Sequence, residues 1–320
     1  MKKLIYLCCL LFPLIWNSCS KDDITIIVNP GEENSGKDEG GTNTTPEIPA
    51  ALQKVSFFAS VESMTQTRSL SAFPQGRFAT VYGFKAGGDL AGKPYSDVNY
   101  ISQTQGTLSP IDSNMYLPKG IYNFYSVATN MTKDVTPSFS GGISAPLQNG
   151  VDYLWWKSGN YSIESSSENI QIMYSHMSTQ VVIRLKGGTD ITINSIDSAK
   201  IIPSMPGATM KLSTGEIDYA TTYSSSLMNM GINQNVCQYT LLPVKTNAPL
   251  NVRFAIKING ESVARSYAVN IMLPQGMLSG GKSYLFEAIV QGQEIVFPSV
   301  TIINWVTVDE TGTPLYPSQI

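Results

Sequence analysis

His176, in "MYSHMSTQ", is the one imidazole in this 320-residue chain. Any Ser-His or Cys-His nucleophile scheme needs an imidazole as base, so all such schemes converge on this position. The plainer reading is a histidine packed or hydrogen-bonded where two domains meet. The four cysteines are Cys8, Cys9, Cys19 and Cys237. One histidine and no cysteine cluster do not make a zinc site, and neither a metal nor another cofactor is expected. In "NVCQYTLLPV", Cys237 alternates with Gln238 and shares a face with Tyr239 and Leu241. That is the pattern of a small buried apolar residue. A carboxylate pair for glycoside hydrolysis would have to come from sparse acidic residues, several of them in a polar N-terminal stretch. The chain has no phosphate-cradling glycine loop, and it is not expected to be an enzyme.

Two further residue types bear on binding and processing. Trp155-Trp156 in "VDYLWWKSGNY" could stack on sugar rings if exposed. Neighbours on a strand point to opposite faces, so at most one of the pair is free and the other is core. Arg68, in "TQTRSLS", lies in a polar stretch just after a strand-like segment, where an extended chain is open to a protease. A cut between Arg68 and Ser69 would separate everything before it from the rest of the chain. Arg77 is a second candidate, closer to the next strand and less accessible.

The N-terminus reads as an export signal. Lys2 and Lys3 precede a 13-residue apolar run from Leu4 to Trp16, too short to span a bilayer, which needs about 20 apolar residues. Cys19 then stands directly before Ser20, Lys21, Asp22 and Asp23, a spacing that resembles a bacterial lipobox. Residues 1–18 are accordingly expected to be a lipoprotein signal peptide, with Cys19 lipidated. The alternative is a plain signal with a coincidental cysteine. Cys8 and Cys9 leave with the signal, so Cys237 alone remains in the body and no internal disulfide can form. Losing Lys2 and Lys3 takes the net charge from -3 to about -5, which offers nothing to nucleic acid. Residues 19–50 include "NPGEENSGKDEGGTNTTPEIP", a flexible tether with almost no apolar side chains. Several lipid chains on Cys19 would hold such a tether at a membrane.

The elements that must position these residues are strands. In "KVSFFASVES", Val55, Phe57, Ala59 and Val61 share one face. "FATVYGFKAG", "GIYNFYSVAT" and "TQVVIRLKG" alternate in the same way, the last with Gln180, Arg184 and Lys186 on its polar face. "NVRFAIKINGESVARSYAVNIM" alternates up to Asn259-Gly260, a pair suited to a tight hairpin turn, and Val263, Tyr267, Val269 and Ile271 run back. No segment carries a long helical stripe. The prediction is an all-β chain with two β-sandwiches in series, residues 51–175 and 176–320.

Taken in order, "KVSFFASVES" followed by "TR", "ATVYGF", "YLPKGIYNFYSVA", "YSHMSTQVVIRL", "YTLLPV", "GGKSYLFEAIV" and "VTIINWV" resemble the fimbrillin family, the type V pilins and related surface lipoproteins of Bacteroidetes. "CSKDD" also resembles the signal that sends their lipoproteins to the outer face, which makes Lys21, Asp22 and Asp23 an export address. The resemblance implies transthyretin-like sandwiches and an outer-membrane lipoprotein. Polymerising members are cut after an arginine by an arginine-specific protease, here between Arg68 and Ser69. The lost strand leaves a groove that another subunit's C-terminal strand fills by β-strand addition. The donor then lies within Glu294 to Val308, with Ile295, Phe297, Val300, Ile302 and Trp305 as anchors, and Pro298 shifts the alternation there. The alternative is an ordinary last strand of the second sandwich. Asp197-Ser198-Ala199 fits the family's short O-glycosylation pattern.

The expected function is a shaft or accessory subunit of an adhesive fimbria, with other fimbrial subunits as partners. A different class stays open: a monomeric glycan-binding surface lipoprotein that uses Trp155 or Trp156 to capture nutrients.

Overall fold

The computed structural model describes residues 51–63 and 69–306. Cys19, Lys21, Asp22, Asp23 and Arg68, together with the signal and tether stretches 1–18 and 19–50, lie outside the described residues. All described residues belong to one compact unit, Pro49–Ile320.

The architecture is all-β, as the alternation predicts. It begins with β1 (Gln53–Ser63), β2 (Ser69–Ala72), β3 (Phe78–Lys85) and β4 (Ser96–Ser102). Next come β5 (Thr107–Pro110), β6 (Met115–Leu117) and β7 (Gly120–Thr129). The short strands β8 (Phe139–Ser140) and β9 (Ile143–Ser144) pair with each other. Then follow β10 (Tyr153–Ile163) and β11 (Ser167–His176). The first sheet runs β11-β10-β7-β3-β4-β5-β1-β2, with β6 also on β1. A parallel pairing of β1 with β11 joins this path to its own start, so the sheet closes on itself. Closure gives the long strands β1, β3, β7, β10 and β11 neighbours on both sides, while the short strands β2 and β6 pair with β1 alone.

Residue chemistry explains why β1 lies inside this ring. Val55, Phe57 and Ala59 are buried on one face, while Lys54 and Phe58 point outward. The Phe57 ring meets Tyr100 at 5.6 Å and Phe124 at 5.8 Å, both edge-on. A turn also crosses close over β1. Gly106 has φ of +77°, and a Cβ there would stand 2.0 Å from the Ala59 carbonyl oxygen. Only glycine meets both demands at once.

The second half contains β12 (Thr179–Gly187), β13 (Ile193–Ile201), β14 (Met228–Asn229), β15 (Gly231–Asn233) and β16 (Val236–Leu241). After them come β17 (Val244–Lys245), β18 (Leu250–Ile258), β19 (Arg265–Ile271) and β20 (Met277–Leu278). The last two strands are β21 (Lys282–Gln291) and β22 (Glu294–Ile303). One sheet is ordered β15-β16-β12-β21-β22 and another β14-β13-β18-β19. Their inner faces share one core, in which Val181, Ile183 and Phe286 meet Val252, Phe254 and Ile256.

A third apolar cluster links the halves. Tyr82, Phe84, Val127 and Tyr153 pack with Met210, Leu212, Ile217 and Leu242. The long connection 202–227 supplies three of these, and it is tied back by Leu212 N–H donating to Gly142 O at 2.8 Å.

Two local expectations change. Asn259 and Gly260 do take φ of 51° and 75°, but strand pairing resumes only at Arg265. Val263 therefore sits in the loop, 75% exposed, and does not belong to the returning strand. A Glu261–Arg265 ion pair spans the longer turn. The face of β12 expected to be polar is also partly covered, since Gln180 is fully buried.

Candidate functional site

The geometry that bears on function lies at two strands, one at each end of the described chain. At the N-terminal end, β1 pairs parallel with β11 from Lys54↔Ser167 to Val61↔Tyr174. Its other edge pairs antiparallel with β6, β5 and β2 in turn. β1 thus has neighbours along both edges and core on one face. Ser69 is the first residue of β2 and pairs with Ser63. Five residues, 64–68, separate the two strands, and Arg68 is the last of them.

At the C-terminal end, β22 is an edge strand that pairs only with β21. The register shifts between Glu287 and Ile289, opposite Phe297 and Pro298. Proline has no N–H to give a ladder, so the irregularity falls where it does least harm. Across that shift the five expected anchors differ in burial. Ile295 is buried and Phe297 packs against the second core. Val300 and Ile302 are 37% and 56% exposed although they pair with the core residues Phe286 and Tyr284. They line an open groove of about 480 Å³ with Tyr284, Met277 and Pro274. From Pro298 to Ile303 the strand carries no charged residue to discourage pairing.

Trp305 goes elsewhere. Its ring stacks on His176 with centroids 4.1 Å apart and planes 10° from parallel. His176 donates from Nδ1 to both carboxyl oxygens of Asp152, each at 2.9 Å. The one imidazole is thus packed and hydrogen-bonded between the end of β11 and the C-terminal segment, against a carboxylate and an indole rather than a hydroxyl or thiol. Next to it, the Gln180 amide binds the backbone of Val306 twice. Nε2 donates to Val306 O and Val306 N donates to Oε1, both at 2.8 Å. Ser283 Oγ donates to the same Oε1 at 2.7 Å. Sequence reasoning misses Asp152, Gln180 and Val306 as members of this site. The one signal for Gln180 is an amide among Val and Ile, which equally suits a solvated strand face.

Trp155 and Trp156 are both half-buried. Trp155 donates Nε1–H to Leu212 O at 2.8 Å and lies so close to Gly215 that a Cβ there would stand 2.5 Å from its ring. Trp156 packs against the first core. Cys237 is fully buried in the second core, and burial pushes its thiol up to about 12. Asp197-Ser198-Ala199 lies within paired β13. Ser195 Oγ donates to Asp197, an interaction that holds its carboxyl below the ordinary range. Among the described residues no group of three His, Cys, Asp or Glu could hold a metal ion.

A family model described as fimbrillin-like matches residues 67–305. The chain belongs to the fimbrillin-like family. The match begins just before Ser69, leaves out β1, and ends at Trp305. Among solved structures, the fimbrillin-like chain is similar to a candidate cell adhesion protein of Bacteroides uniformis. That likeness has a TM-score of 0.57 and 14% identity over 79% of this chain and 99% of the other. A candidate cell adhesion protein of Bacteroides ovatus gives 0.57 and 16%, over 81% and 100%. One from Bacteroides fragilis gives 0.50 and 13%, over 80% and 99%. At these identities the likeness is one of fold. A search of curated proteins finds no match to the chain.

Proposed function

We propose that this fimbrillin-like chain is a shaft or accessory subunit of a cell-surface fimbria, joined to its neighbours by β-strand exchange and serving adhesion. The observation that carries the reading is the place of β1. It supplies Val55, Phe57 and Ala59 to the first core and is flanked on both edges, yet it lies outside the family match. Removing it would leave a strand-shaped apolar site between β11 on one side and β5 and β6 on the other. A cut after Arg68 would allow β1 to leave and make Ser69 the new N-terminus.

The exposure of Val300 and Ile302 supports β22 as the donor. A side chain already buried at home gains nothing by moving, whereas these two gain new burial in a neighbour. Full burial of a large apolar side chain is worth about 1.5–3 kcal/mol. We read residues 51–175 and 176–320 as two sandwich domains, the first accepting a strand and the second giving one. Lipidation at Cys19 and an export address at Lys21, Asp22 and Asp23 would bring the precursor to the outer membrane surface. There an arginine-specific protease would separate it from its anchor.

The test is the N-terminus and mass of the chain recovered from the surface of a Bacteroidetes host. A chain starting at Ser69 without lipid is expected, with Arg68→Ala keeping the longer, lipidated form. A wild-type chain that starts at lipidated Cys19 throughout would end the shaft reading.

A further inference from the structure

The end of β22 is held by contacts that strand pairing does not require. Pairing with β21 ends at Ile303↔Ser283, and the chain then crosses the outer face of the sheet towards β12. Val306 packs there with Val182, Val236 and Leu285 and is 7% exposed. Gln180 presents its amide to the Val306 backbone as a neighbouring strand would, but from a side chain. If Val306 left, this buried amide would keep only Ser283 of its hydrogen-bond partners, at the cost of unpaired polar groups in a dry site. Trp305 meanwhile rests on an imidazole whose orientation is fixed by Asp152, which is itself 6% exposed. Two independent contacts therefore close on two consecutive residues, Trp305 and Val306, while Val300 and Ile302 just before them stay open to solvent.

We propose that His176, Asp152 and Gln180 form a binding site for the strand end at Trp305 and Val306, and that this site must release it before β22 can pass to a second copy of the chain. The proposal rests on the reading of β22 as donor. It assigns control of assembly to two places: the cut after Arg68 opens the acceptor, and release from this site frees the donor. The lone histidine serves here as a positioning residue for an indole.

Hydrogen exchange on the full chain tests the site directly. Trp305→Ala and His176→Gln are expected to speed exchange across residues 300–306 on the order of tenfold, with β12 unchanged and Trp305→Phe largely restoring protection. Unchanged exchange at 300–306, or equal acceleration everywhere, overturns the site. Polymer growth after cutting with an arginine-specific protease tests the control. Growth faster than wild type in His176→Gln, which leaves the donor strand itself unchanged, supports it, and equal or slower growth overturns it. A synthetic peptide spanning Glu294–Val306, added to the cut wild-type chain, separates the two readings. If it fails to occupy the first domain, β22 is not the donor, while the exchange result still decides whether the site holds the strand end.

Discussion

Gly106 shows how much a single residue can carry. Its φ of +77° costs an L-residue roughly 1–2 kcal/mol, and its missing Cβ lets the turn lie against the Ala59 carbonyl. Gly76 has nearly the same φ, +75°, but a methyl group there would meet nothing within 4 Å. Gly106→Ala should therefore lower stability by clearly more than Gly76→Ala, and chemical denaturation of both variants gives the difference. Equal losses would mean that the turn shifts freely away from β1. Cys237 gives a second prediction at this scale. A thiol at about 12 is only about one part in ten thousand thiolate at pH 8. Iodoacetamide should leave the Cys237 peptide unmodified in the folded chain and label it in denaturant. Labelling at native pH 8 would contradict its burial.

Among the elements, β22 makes the sharpest demand on the functional reading. Val300→Asp and Ile302→Asp change side chains that are partly open to solvent, so stability should fall by only about 1 kcal/mol, the scale of strand propensity, and less at the more exposed Ile302. The same changes should abolish polymer growth, because a carboxylate cannot enter an apolar strand site without a partner. Normal growth of both variants would remove them as anchors. Individual strands are legible in the sequence wherever period-2 alternation is local, as in Val55, Phe57 and Ala59. The parallel partner of β1 is not legible, because β11 lies more than a hundred residues away and no local pattern records it. Asn259-Gly260 announces its left-handed backbone, yet the loop continues through Val263 because a turn signal fixes where pairing stops and not where it resumes. The positions Ile295, Phe297, Val300 and Ile302 on this last strand can be read in the sequence, but their unequal exposure cannot. That depends on how far the facing sheet reaches.

In the whole molecule, the cluster of Tyr153, Met210, Leu212 and Leu242 joins the two cores. Two domains with a small polar contact melt separately, whereas a shared apolar cluster couples them. Calorimetry should show one transition. Leu242→Ala, at a fully buried position, should lower stability by about 2–5 kcal/mol and begin to split that transition. Two separate transitions in the wild type would show that the cluster does not couple the halves. Trp155 belongs to this scale too. Its indole hydrogen bond to the 202–227 connection is a contact between distant parts of the chain, which is why its role cannot be read from its neighbours.

The five residues between β1 and β2 also set a concentration. A strand tethered by so short a link meets its own site at an effective concentration in the mM range, well above that of any free competitor in dilute solution. While residues 64–68 are intact, a foreign strand must overcome that excess at every encounter. Once the link is cut, β1 that leaves is diluted away, and the contest passes to whichever strand is most abundant nearby. On the strand-exchange reading proposed above, that strand would be β22 of the next molecule.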